Sequence, residues 1–384
     1  QSPSSAASDV YKRQAKNIIV YSRARMISEI AKLNNSTVAI AGTHGKTTTT
    51  SMVGTILKSM NLDPTIIVGG VVKSLESNSV LGGGDTFVVE ADEYNKSLLH
   101  LSPTIAVINN IDFEHIECYN DIDDLKDTFL QFANSVPFYG TVCACKDSNN
   151  VASILSKIDK PIITYGIESQ NVDIKAENLH QENGTISFDV KVKDQIFSVN
   201  LSVPGKYNAY NALAALSVCE TMGIDLESAC KALSNFSGVK RRFDIKANKD
   251  IMIIDDYAHH PVEVQNVIET VKSNWNKNLN VIFQPHLFSR TKEFYKDFAK
   301  ALMIADNVMI TEIFGSREKE DNSTTSDLII NEMLKLNHKN VSYVSSKDIV
   351  KEVKSRGVKG DIFLTMGAGN IWRYAEDLGK HYND

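Results

Sequence analysis

The sequence has no run approaching the roughly 18 apolar residues of a membrane-spanning helix, and its first twenty residues hold no apolar segment followed by a cleavage site. Neither a membrane span nor a secretory signal is expected. Cysteine is sparse: five residues, an odd number without a CxxC pair, so neither a disulfide framework nor a zinc ribbon is indicated. Reduced thiols and a cytoplasmic location are expected. There is no basic excess, since 41 Lys and Arg against 47 Asp and Glu leave a net charge of -6. That balance argues against nucleic acid as the partner. With 8 prolines, 20 glycines, 42% apolar and 23% charged residues, collagen-like, coiled-coil and largely disordered chains are excluded.

What is present is length and alternation. A chain of 384 residues exceeds twice a typical domain of about 150, so two or three cored domains are expected. Residues 1–14 (QSPSSAASDVYKRQ) are small and polar without an apolar period and read as a leader outside the fold. From Ser36, short β-branched runs alternate with helix-length stretches, beginning with TVAIAG, a glycine loop and a helix from Lys46 to Met60. TIIVGG, TFVVEAD, TIAVINNI, TVCAC and PIITYG continue the series, which predicts an α/β domain with a parallel sheet. Between Val172 and Val203 the period becomes two, with an Asn183-Gly184 turn, predicting a small antiparallel subsheet. After GVKRR (238–242) the alternation restarts with IMIIDDYA, NVIFQP, NVMITEI, VSYVS and DIFLTMGAG, predicting a doubly wound, Rossmann-like second α/β domain. The expected division is a central domain over 36–240 and a C-terminal domain over 241–384, preceded by a short segment over 15–35.

The chemistry concentrates at Gly42-Thr43-His44-Gly45-Lys46-Thr47-Thr48, between a strand and a helix. Main-chain N–H groups of such a P-loop cradle phosphates, the lysine neutralises their charge, and a following hydroxyl, Thr47, can ligate magnesium. The usual loop carries glycine where Ile40 stands, so this is a shorter variant. Carboxylates or imidazoles should lie at the ends of neighbouring strands, where Glu90 closes TFVVE and His115 follows TIAVINNI and Asp112. An isolated histidine is usually structural, but its place after Asn109-Asn110-Ile111-Asp112 favours a ligand role. His259 and His260 are adjacent on an extended segment, point to opposite faces and are not expected to share a metal.

GTHGKTTTTSM, VVEADE, NNIDFEH, VPGKYNAYNALAA, GVKRRFD, DDYAHHPVEV and FQPHLFSRT, in this order, resemble the motifs of the Mur ligases. The resemblance implies ATP-driven amide formation in peptidoglycan precursor synthesis, with Mg2+. The carboxylate of UDP-N-acetylmuramate would be phosphorylated, and the amine of L-alanine would displace phosphate. By motif, Lys46 corresponds to the β/γ-phosphate lysine, Thr47 and Glu90 to ligands of one magnesium and His115 to a ligand of a second. Asn208 and Asn211, three apart on one helical face, match asparagines near nucleotide and substrate, while Arg242 and Asp256 match residues that the C-terminal domain brings to the nucleotide. Tyr257, His259, His286 and Arg290 resemble the L-alanine site, with Leu287 standing where some relatives have arginine.

One departure is at the start of the chain. Members of the family begin with a complete domain that holds the uridine diphosphate, whereas 41 residues precede Gly42. A βαβ unit alone needs about 30 residues. Residues 15–35 are therefore expected to be a remnant of that domain, with ATP binding retained and sugar binding impaired. Rival readings are a ligase that joins a preformed tripeptide to the same sugar nucleotide, a P-loop kinase or switch, and a catalytically silent nucleotide-binding partner. QPHLFSRT favours L-alanine over the tripeptide, and DDYAHHP has no role in a kinase.

Overall fold

Val, Ile and Ala runs assemble into two sheets in the computed structural model, which describes residues 13, 15–73, 77–113 and 118–383. The first sheet comprises β1 (Ser36–Ala41), β2 (Thr65–Val72), β3 (Ser77–Val80), β4 (Thr86–Glu90), β5 (Ile105–Ile108), β6 (Thr141–Cys145), β7 (Ile162–Gly166), β8 (Ile174–Glu182), β9 (Thr185–Val192) and β10 (Gln195–Leu201). Their order is β10-β9-β8-β7-β6-β5-β1-β4-β2-β3. The antiparallel strands expected from the period-two stretch do not form a separate sheet. β8 pairs in parallel with β7 through Tyr165 and Ile174, so β8, β9 and β10 extend the central sheet. The β8–β9 turn has positive φ at both Asn183 (51°) and Gly184 (82°), the hairpin geometry for which Asn-Gly is suited.

Both faces are covered, as continuous apolar strands require. On one side lie α2 (Lys46–Ser59), α5 (Lys206–Thr221) and α6 (Leu226–Leu233), with Met52, Ile56, Leu213 and Leu233 in the core. On the other lie α1 (Arg23–Ala31), α3 (Ile122–Asn134) and α4 (Asn149–Ile154), with Phe129 and Phe132. The chain leaves β1 toward β2 through α2, but leaves β5 and β6 in the opposite direction through α3 and α4. The connections therefore diverge beside β1, the place where an open α/β sheet leaves a crevice beyond its strand ends.

The second sheet has the order β11-β12-β16-β13-β14-β15, with β11 (Asp244–Asn248), β12 (Met252–Asp256), β13 (Leu279–Phe283), β14 (Asn307–Ile310), β15 (Val341–Tyr343) and β16 (Ile362–Met366). All pairs are parallel except the edge pair β11–β12. Helices α7 (Pro261–Asn274), α8 (Phe288–Leu302) and α9 (Asp327–Lys335) cover one face, and α10 (Ile349–Arg356) and α11 (Trp372–Asn383) the other. Between the sheets runs a tight connection in which Gly238, Arg241 and Phe243 all have positive φ. Lys240 N donates to Val71 O, and the β8–β9 tip meets α7 where Gly184 N donates to Asn274 Oδ1 at 3.1 Å. The start of α7 meets the loop that follows β1 where His44 Nδ1 lies 3.2 Å from Glu263 Oε1. Among the described residues no helix is long and apolar enough to cross a membrane.

Candidate active site

β1 delivers the chain to the loop Gly42–Gly45, which opens α2. Gly42 (φ 141°) and Gly45 (φ 81°) take conformations a side chain resists. A Cβ at Gly45 would lie 2.4 Å from Asn211 Oδ1 and one at Gly42 2.9 Å from the Asn109 Cβ. The loop is pinned by the segment leaving β5. Thr43 N donates to Asn110 O, His44 N donates to Asn110 Oδ1 at 2.8 Å, and Asp112 N donates to Thr43 Oγ1 at 2.8 Å. The first N–H groups of α2 have no intrahelical acceptor, and they face the crevice as an anion cradle.

Lys46 lies back across its own loop. Its Nζ donates to Gly42 O at 2.6 Å and to Glu93 Oε2 at 2.7 Å. Glu93 is buried, and its own carbonyl accepts from Tyr119 Oη at 2.5 Å. Sequence reasoning missed Glu93 as a site residue. The available signal was its place three residues after Glu90, where a second acid follows directly on a buried strand. Glu90 accepts from Gly69 N at 2.6 Å. Burial pushes its carboxyl up, opposed by that Gly69 bond and by the positive charge of Lys46.

Beneath the loop runs a buried chain of side-chain hydrogen bonds. Tyr165 Oη donates to Asn109 Oδ1 (3.0 Å), Asn109 Nδ2 to Thr49 Oγ1 (3.0 Å), Thr49 Oγ1 to Asn211 Oδ1 (3.2 Å) and Asn211 Nδ2 to Asn208 Oδ1 (3.2 Å). Asn208 Nδ2 ends it on Pro204 O at 2.6 Å. The two asparagines predicted on one face of α5 therefore act together, and Asn109 and Thr49 join them.

Across the crevice, the second sheet contributes Asp256 at the end of β12. Burial pushes its carboxyl up to about 6, against the pull of Arg242 and of the Phe243 and Ala258 N–H groups. The start of α7 contributes Glu263, also missed in the sequence. One of its oxygens lies 3.2 Å from His44 Nδ1 and 3.7 Å from Arg242 Nη1, and the other 3.1 Å from His259 Nδ1. Burial pushes Glu263 up, but the His259 and His44 contacts outweigh it and hold the carboxyl well below its ordinary range. The signal was the HHPVE pattern, in which Glu263 caps its own helix by accepting from His259 N and His260 N.

A cavity of about 660 Å³ joins these elements, lined by His44, Gly45, Thr47, Thr48, Asn208, Asn211, Arg242, Asp256 and Glu263 among others. Tyr257, His259 and His286 gather on the far side of Glu263. The His259 ring lies 5.0 Å from Tyr257 and 5.9 Å from His286, edge-on to both. Arg290 is buried in the first turn of α8. His260 turns away, with its ring 5.2 Å from His44 and 5.3 Å from Phe294. Leu287 is buried at the start of α8. His115 lies outside the described residues, as does the leader except Arg13. Among the described residues no cluster of three His, Cys, Asp or Glu is arranged to hold a metal.

A phosphate loop at a topological switch point, faced across a cavity by a second α/β domain, defines a two-domain nucleotide-binding protein. Its sequence matches the Mur ligase middle domain over residues 40–219 and the Mur ligase glutamate ligase domain over 241–369. The chain belongs to the Mur ligase family. It is 41% identical to the UDP-N-acetylmuramate--L-alanine ligase of Geotalea uraniireducens over 96% of this chain and 81% of that protein. It is 39% identical to the enzyme so named from Sulfurihydrogenibium, over 98% of this chain and 82% of that one. The crystal structure of UDP-N-acetylmuramate-alanine ligase from Thermotoga maritima superposes with a TM-score of 0.83 at 27% identity, covering 100% of this chain and 84% of that one. A MurF ligase from the same organism, solved with ADP, shares the fold at a TM-score of 0.75 and 20% identity, over 95% of this chain and 86% of that one.

Proposed function

We propose that the chain is an ATP-dependent amide ligase that joins L-alanine to UDP-N-acetylmuramate through an acyl phosphate. The observation that carries this reading is the convergence of His44, Gly45, Thr47 and Thr48 of the phosphate loop from one domain with Arg242 and Asp256 from the other on one crevice. The relatives' names supply the substrates. Phosphorylating a carboxylate brings two anions together, so the barrier is chiefly electrostatic. Lys46 and the N–H groups opening α2 hold the β- and γ-phosphates, and Arg242 reaches them from the other side of the cavity.

Magnesium fits Thr47 and Glu90, a hydroxyl and a carboxylate suited to it as oxygen ligands, since burial has raised the Glu90 carboxyl and an adjacent cation would offset that cost. When bound, it would neutralise charge on the transferring phosphoryl group. His115 is proposed as a second ligand by motif alone. Asp256, at a strand end beside the crevice, is placed to orient the nucleotide. Tyr257, His259, His286 and Arg290 form the proposed amino-acid site, where the Arg290 guanidinium suits the carboxylate of L-alanine. Closing the crevice keeps water from the acyl phosphate. We place the reaction in the cytoplasm, consistent with five free cysteines of which four are buried.

Phosphate release is the test. It is expected with ATP, Mg2+, UDP-N-acetylmuramate and L-alanine together, and to fall sharply when either acceptor is omitted. Release that requires a tripeptide in place of L-alanine, or that yields a phosphorylated product without an amide, would overturn the assignment.

A further inference from the structure

The amine of an amino acid arrives as an ammonium ion and has no lone pair with which to attack. A ligase of this kind needs a proton acceptor beside the amino-acid site. We propose that His259, oriented by Glu263, is that acceptor, an inference that rests on the ligation reading.

The argument starts from the tautomer. Nδ1 of His259 lies 3.1 Å from Glu263 Oε2 and 3.1 Å from Tyr257 O. An ionised carboxylate and a carbonyl are acceptors only, so Nδ1 carries the hydrogen in the neutral ring and the basic lone pair is on Nε2. Ring orientation is fixed on two sides, by Tyr257 at 5.0 Å and His286 at 5.9 Å, both edge-on. Glu263 is itself fixed. The same Oε2 accepts from His259 N at 3.1 Å and His260 N at 3.4 Å, while Oε1 is held by His44 and Arg242. This is the base-and-orienter arrangement of general base catalysis, and the orienter also touches the phosphate loop.

The step balances without any further reagent. The ammonium gives one proton to Nε2, and the freed lone pair forms the C–N bond at the acyl-phosphate carbon. The C–O bond to phosphate then breaks with its electron pair going to oxygen. The departing phosphate takes the second nitrogen-bound proton, and the imidazolium returns its own to solvent.

Hydroxylamine provides the discriminating probe, since it is uncharged at neutral pH and traps acyl phosphates as hydroxamate without prior deprotonation. Wild type, His259→Asn and Glu263→Gln are assayed on the whole chain with L-alanine and, separately, with hydroxylamine. In His259→Asn, turnover with L-alanine is expected to fall on the order of 100-fold. Hydroxamate formation should fall far less, so the amide-to-hydroxamate ratio drops at least about tenfold. Hydroxamate in the same sample also reports that the variant is folded. In Glu263→Gln the ring loses the carboxylate that orients it, so turnover with L-alanine should again fall more than hydroxamate formation. Equal losses with both nucleophiles in either variant would overturn the proposal. A wild-type chain that forms neither hydroxamate nor amide would remove the ligation reading itself, and this inference with it.

Discussion

Single residues set the geometry of the phosphate loop. Gly45 combines a positive φ with a neighbour, Asn211 Oδ1, 2.4 Å from where a Cβ would be. Gly45→Ala must therefore strain the backbone by about 1–3 kcal/mol and displace the asparagine. Urea unfolding should show that loss, and nucleotide titration should show weakened binding. Asp256 makes the pH argument. Its carboxyl, 3.8 ordinarily, is pushed up to about 6, so between those values the folded protein holds a proton the unfolded chain releases. The resulting stability, on the order of 3 kcal/mol, is full below about pH 4 and is lost as pH rises through about 6. Asp256→Asn removes this titration. Thermal melts should show the stability of the variant, relative to wild type, rising from pH 4 to pH 7.

Elements hold those residues in register. Helix α2 begins at the loop and is buried from Thr47 to Leu57, an unusual fate for a threonine-rich turn. Its hydroxyls are satisfied within the helix or below it: Thr50 donates to Lys46 O, Ser51 to Thr47 O and Thr49 to Asn211. Thr49→Val keeps the shape but leaves Asn109 and Asn211 each short of a partner, at a cost of about 1–3 kcal/mol per group. Chemical denaturation should report that loss. Hydrogen exchange should show faster opening of the loop amides than of β1 itself. Much of this scale was legible in the sequence, because apolar runs bounded by glycine mark buried strands and the Asn208–Asn211 spacing marks one helical face. The continuity of β8 with β7 was not legible, since a change of period signals antiparallel pairing without saying which edge the strands join.

At the scale of the whole molecule, two sheets present one crevice, and the site exists only where both contribute. Residues that carry a motif, such as Lys46 and Arg242, could be found from the chain alone. The sequence signals for Glu93 and Glu263 did not give their roles, because those depend on what lies opposite: Lys46 for one, and Arg242 together with His44 across the domain boundary for the other. A carboxylate looks the same in sequence whether it meets water or a buried cation. The central claim is that a triphosphate rests on the loop opening α2 and is gripped from the second domain. Isothermal titration of a non-hydrolysable ATP analogue with Mg2+ tests it directly, in wild type, Lys46→Ala and Arg242→Ala. One site is expected in wild type, weakened about tenfold or more in each variant, as the loss of a charge-assisted contact of about 1.5–3 kcal/mol requires. Undiminished affinity in both variants would contradict the account.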